Sequence, residues 1–162
     1  MLFGCLGAAN RCWAHEGLTL CYQYSMLVGS GIDAIEIARI AAAIQQFGDR
    51  FCRRVYTAQE MAYCRSKRNA AESFAVRFAA KEAAAKALGT GIQAGVGWRD
   101  IEVTRAPSGR PGLRFHGRAL VLARRLRVAN ASLSLTHSRD LAFAQVLLED
   151  GPDDDERPIA AG

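Results

Sequence analysis

Phe74-Ala75-Val76-Arg77-Phe78-Ala79-Ala80-Lys81-Glu82-Ala83-Ala84-Ala85-Lys86-Ala87-Leu88-Gly89 is the run around which this 162-residue chain is organised. Alanine is the strongest helix former, so the run predicts a long helix. Asn69-Ala70-Ala71-Glu72 is a candidate capping box at its start, and Gly89 is a good residue to close it. Residues four apart share a helix face. Phe74, Phe78, Glu82 and Lys86 therefore form one line, half aromatic and half charged, with Arg77 and Lys81 on another. A carboxylate that continues an aromatic stripe is costly to desolvate unless something compensates it. Two compensators are open. One is Lys86, in an i,i+4 pair worth ~0.3–0.5 kcal/mol; the other is a metal ion.

Working outward, Met26–Asp33 reads as a strand with Leu27, Gly29, Gly31 and Asp33 on one face. Gly29 and Gly31 leave room for close approach by another element or a ligand. A helix is expected over Ala34–Phe47, with an apolar stripe of Ile37, Ile40, Ala41, Ile44 and Phe47; Arg39 and Arg50 share its opposite face. Thr57-Ala58-Gln59-Glu60 is a capping box, so a short helix should begin there. Downstream, Ile101–Thr104 and Leu113–Phe115 read as strands around a Pro- and Gly-rich turn. Gly117–Val128 reads as a helix with Leu122 and Leu126 inward. Ala131–His137 and Leu141–Leu148 read as a hairpin over Ser138-Arg139-Asp140. Helices and strands mix without strict alternation, so the class is α+β.

The two ends differ from this body. Residues 1–25 carry three of the five cysteines and no clear period, and are expected to be disordered or an upstream stretch before a start at Met26. Asp150 onward is expected to be a disordered acidic tail. Glu149–Gly162 holds six acids and one arginine, so the formal +5 of the chain conceals a body of +10. Such a body implies an anionic partner: phosphate, nucleic acid or an acidic protein. No apolar run approaches the ~20 residues that span a bilayer. An odd cysteine count without zinc spacing reads as free thiols in a reducing cytosol.

Asp33 either caps the helix expected at Ala34 or offers a hard oxygen to a cation. With Glu82 it would suit Mg²⁺, which prefers one or two carboxylates, water and phosphate oxygens. Gly89-Thr90-Gly91 could bring backbone N–H groups to a phosphate, although Gly89 is equally explained as a helix cap. His137 is a lone histidine at a strand end, open to a structural or a catalytic reading. A nucleic-acid module would need aromatics interleaved with basic residues on an open surface. Phe74 and Phe78 instead follow a core-like helical period, which argues against it.

Gly31-Ile32-Asp33 with Arg39, then Arg77-Phe78-Ala79-Ala80-Lys81-Glu82-Ala83 with Lys86, Gly89-Thr90-Gly91, Trp98–Val103 and Ser132–Ser138 occur in this order. Over residues 26–149 the chain resembles the holo-acyl-carrier-protein synthases, the short bacterial phosphopantetheinyl transferases. The resemblance implies that family's α+β fold, a cytoplasmic homotrimer with active sites between subunits, and transfer of phosphopantetheine from coenzyme A to a serine of an acidic acyl carrier protein, supporting fatty acid biosynthesis. It implies Asp33 and Glu82 as Mg²⁺ ligands. It implies coenzyme A contacts from Arg77, Lys86, Gly89, Thr90, Gly91 and His137. Lys86 would also stabilise the leaving group, and the serine proton would go to Glu82 or to a water on the metal. Arg39, with Arg50 and Arg53, would meet the acidic carrier.

Overall fold

Two glycines in the first long strand decide how the layers of this protein meet. The computed structural model describes residues 25–92 and 95–151, together with the backbone of Cys12–His15 and Leu18–Cys21. Those last two segments, β1 and β2, pair as a small antiparallel hairpin. The rest of the leader and the chain beyond Gly151 lie outside the described residues.

The main sheet has β7 (Leu141–Asp150) at its centre, between β3 (Leu27–Glu36) and β6 (Val128–His137), all pairs antiparallel. Ala142, Ala144, Val146 and Leu148 of β7 are buried on one face. In register beside them stand Ile35, Asp33, Gly31 and Gly29 of β3. Against that face lies α3 (Ala70–Ala87). Its alanines and the strand glycines let two backbones touch: a Cβ on Gly31 would stand 2.0 Å from the Ala83 carbonyl oxygen, and one on Gly29 2.1 Å from that of Ala87. The room beside the glycines is filled by a helix.

The strand runs three residues past Asp33, because β7 pairs with it as far as Glu36 opposite Leu141. The helix expected from Ala34 begins instead at Ile37, as α1 (Ile37–Val55). Asp33 is thus mid-strand and caps nothing. Gly48, at φ 54 and ψ −137, kinks α1 where an end at Phe47 was expected, and the helix resumes beyond it. The kink lies between Arg39 and Arg50, so helical spacing does not carry from one to the other, although both are exposed.

Thr57 caps α2 (Ala58–Arg65) with both halves of the box formed. Asn69 caps α3 by position only, with no side-chain bond. Gly89, at φ +74, closes α3: its N–H bonds to Lys86, and that of Thr90 bonds to Ala85. A 3₁₀ turn at Trp98–Asp100 leads to β4 (Ile101–Arg105), which pairs with β5 (Pro111–Phe115). The helix expected to reach Val128 is shorter: α4 (Gly117–Arg125) ends where Arg127 adopts φ +54, and Val128 already pairs in β6. The result is the expected α+β architecture, a long alanine-rich helix on an antiparallel sheet. Among the described residues no helix is long and apolar enough to cross a membrane.

Candidate active site

Where β3 passes over the C-terminal half of α3, three charged side chains meet. Lys86 Nζ donates to Asp33 Oδ1 at 2.8 Å and to the Ile32 carbonyl at 3.1 Å. Asp33 is 17% exposed and Lys86 51%, so the pair straddles the edge of the core. The line Phe74, Phe78, Glu82, Lys86 climbs from interior to solvent: Phe74 is buried, Phe78 and Glu82 half-buried, Lys86 exposed. Phe78 packs against Trp98 with ring centroids 4.4 Å apart. Trp98 and Glu82 wall a cleft of about 800 Å³ that Arg54 and Gly91 also line.

Burial raises the Glu82 carboxyl above its ordinary value, and nearby Asp33 adds to the effect; Lys86 opposes both. Two carboxylates crowded in a partly desolvated place fit a divalent cation, which relieves the repulsion. Both are hard oxygen donors. Among the described residues no group of three or more Asp, Glu, His or Cys forms. A two-carboxylate set leaves positions for water and phosphate oxygens, as Mg²⁺ requires.

A stability effect follows from the crowding. With its folded pKa above the unfolded one, Glu82 disfavours folding when charged; the penalty is present at neutral pH and is relieved as pH falls through the folded value. Glu82→Gln should raise the melting temperature at pH 7.5 by about 1 °C, a small gain because solvent screens this half-exposed carboxylate. The gain should vanish below about pH 4. Differential scanning calorimetry at both pH values checks it; a lower Tm at neutral pH would mean the carboxylate is favourably held.

Arg77 and His137 lie elsewhere, in a cleft of about 220 Å³ shared with Tyr63 and Arg105. The Tyr63 ring carries the Arg77 guanidinium at 4.2 Å, Lys67 at 4.3 Å and Arg105 at 5.5 Å. Burial pushes the Tyr63 phenol up, but Arg105, Lys67 and Arg77 together outweigh it and hold it below its ordinary value. Arg77 is buried; its Nη1 donates to the Ser73 carbonyl at 3.2 Å, while its buried Nε has no partner. An unused guanidinium donor among several cations fits an anion. Nine residues separate Arg77 from Lys86, about half a turn round the helix and ~14 Å along it. One chain therefore holds the two groups on opposite faces of α3.

Gly91 reaches the Glu82 cleft, whereas Gly89 and Thr90 serve the helix terminus. Arg39, in the first turn of α1, and Arg50 are exposed. Arg53 is tied to Asp49 at 3.2 Å, and Asp49 is shared with Arg65. Arg54, the next residue and not among those expected to meet the carrier, lines the Glu82 cleft, and Arg53 does not. Tyr63 and Arg105 were also missed, because their positions in α2 and β4 come together only in three dimensions.

The family profile of the 4'-phosphopantetheinyl transferase superfamily matches residues 29–146. The holo-[acyl-carrier-protein] synthase of Koribacter versatilis is 55% identical over 125 residues, covering 77% of this chain and 100% of the relative. The chain belongs to the 4'-phosphopantetheinyl transferase superfamily, in its holo-[acyl-carrier-protein] synthase group. The crystal structure of the synthase from Neisseria meningitidis aligns with a TM-score of 0.70 at 33% identity, over 77% of this chain and 100% of that one. That from Bacillus anthracis, in complex with CoA (3',5'-ADP), aligns at 0.64 and 38%, over 78% and 99%.

In this transferase Lys81 is not one of the basic residues facing outward. It is fully buried, donating to Glu60 Oε2 at 2.9 Å, to the Trp98 carbonyl at 3.1 Å and to the Ile101 carbonyl. Its neighbour Glu82 is thereby held on a helix anchored to the 3₁₀ turn and β4.

Proposed function

We propose that this transferase moves phosphopantetheine from coenzyme A to a serine of an acidic acyl carrier protein, with Mg²⁺ on Asp33 and Glu82, in support of fatty acid synthesis in the cytoplasm. The single observation that carries the metal assignment is the crowding of Glu82 by Asp33 at the lip of an open cleft. The serine oxygen forms a bond to the pantetheine-side phosphorus as the bond to 3',5'-ADP breaks. When bound, the metal neutralises diphosphate charge. Lys86 orients Asp33 and adds a compact cation beside the leaving group. The serine proton would pass to Glu82 or to a water held at the same place.

The opposed faces of α3 support a homotrimer in which one subunit's Asp33, Glu82 and Lys86 meet Arg77 and His137 from a neighbour, closing on the phosphates of coenzyme A. Ile32, 65% exposed on the free face of the sheet, supports burial between subunits. Incubating the protein with apo-carrier, coenzyme A and Mg²⁺ should add the roughly 340 Da arm, and a chelator should stop it. No adduct under these conditions would end this reading.

Arg39, exposed in the first turn of α1, suits the carboxylates of a carrier. Arg39→Glu is expected to raise the carrier KM about tenfold, the scale of one reversed interfacial charge, and to leave the coenzyme A KM within twofold. Equal losses for both substrates would remove Arg39 from the docking surface.

A further inference from the structure

One arginine face of the molecule lines neither of the clefts described above. On α4, Arg118, Val121, Arg124 and Arg125 are all exposed, while Ala119 and Ala123 are buried. At 100° per residue these four exposed positions occupy one arc, with Val121 near its centre and 47% exposed. No acidic residue stands in α4, and among the described residues no ion pair is made by Arg118, Arg124 or Arg125.

The strand register says what lies next to this face. Val128 pairs with Asp150, so the chain leaves the sheet beside the residue that follows α4 and its closing turn. Gly151 is pressed against β6, where a Cβ would stand 2.7 Å from the Ala129 Cβ. Beyond it the sequence reads Pro152-Asp153-Asp154-Asp155-Glu156. These four acids stand two to five residues from Gly151 and reach at most ~17 Å from it. Arg125 and Arg124 are only three and four residues before Val128. Arg39 lies past the far end of β3, where Glu36 pairs with Leu141, ~30 Å along the strand from the tail exit. Charge and reach together select α4.

We propose that the acidic segment Asp153–Glu156 docks on the Arg118–Arg124–Arg125 face of α4 in the same chain. The segment masks that face from other polyanions and leaves the α1 arginines open to the carrier. Tethering gives it an effective concentration on the order of millimolar, which even weak ion pairs can exploit.

Full-length protein tests this in a two-by-two comparison, using a heparin oligosaccharide as the probe. One change is D153N/D154N/D155N/E156Q; the other is R124E/R125E. If the tail covers α4, R124E/R125E in the intact-tail chain weakens heparin binding less than about twofold. In the tail-neutralised chain the same pair weakens it about tenfold or more. Equal losses in both backgrounds overturn the proposal. Amide NMR spectra localise the contact: tail neutralisation should shift resonances of α4 and leave those of α1 in place. Shifts confined to α1, or none on α4, also overturn it. Phosphopantetheine transfer should persist in all four proteins, because none of these residues belongs to the site.

Discussion

Gly31→Ala is expected to destabilise the protein by about 3 kcal/mol and to reduce transfer at least a hundredfold, the upper range for forcing an atom into a closed contact. The added Cβ would stand 2.0 Å from the Ala83 carbonyl oxygen and 2.8 Å from the Ala87 amide nitrogen. Both neighbours are backbone atoms of a helix and cannot turn aside as a side chain would. Either β3 lifts from α3 or the helix bends. Both responses separate Asp33 from Lys86, which are joined at 2.8 Å across this same contact. Ser30→Ala is the control, because Ser30 is exposed on the other face and its loss should cost under about 0.5 kcal/mol. Urea unfolding of both variants measures the difference. A Gly31→Ala protein as stable as the parent would mean that strand and helix are further apart than described.

The second large effect lies in the core. Lys81 and Glu60 are each fully buried and joined at 2.9 Å. Glu60 also accepts the Thr57 amide at 2.8 Å and the Val103 amide at 3.0 Å, so one carboxylate ties α2, α3 and β4. Burial pushes the Lys81 ammonium below its ordinary pKa while Glu60 pulls it back. Removing one partner leaves a buried charge without compensation, which costs about 3–5 kcal/mol. Lys81→Met should therefore lower Tm by roughly 10 °C. Adding Glu60→Gln should restore part of the loss, because the amide no longer carries charge, although its single oxygen can accept from only one of the two backbone donors, which bind different carboxylate oxygens. Thermal unfolding of the two single variants and the double variant closes the cycle. Strictly additive losses would mean the two residues act independently.

These two sites mark where sequence reading succeeded and where it stopped. Gly31 was legible as a place of close approach, since a strand glycine has few other uses, but not what would approach. Lys81 was placed on one line with Arg77, but helical spacing that puts residues four apart on one side does not say which side is buried. The Thr57 cap was read correctly from four residues, since a capping box is a local set of hydrogen bonds. The cap at Asn69 was placed but not bonded. The continuation of β3 to Glu36 and the early stop of α4 were missed, because β7 decides both by pairing with Glu36 at one end and Val128 at the other.

By itself the sequence determined the α+β class, the long alanine-rich helix and the family, because these depend on residue type, on motif order and on spacing along a regular element. The tertiary structure alone decided that Asp33 meets Lys86 and comes near enough to Glu82 to influence its charge, that Arg77 and His137 stand on the opposite side of α3, and that Arg54 rather than Arg53 enters the cleft. Those outcomes depend on contacts between residues remote in the chain, which no local period encodes.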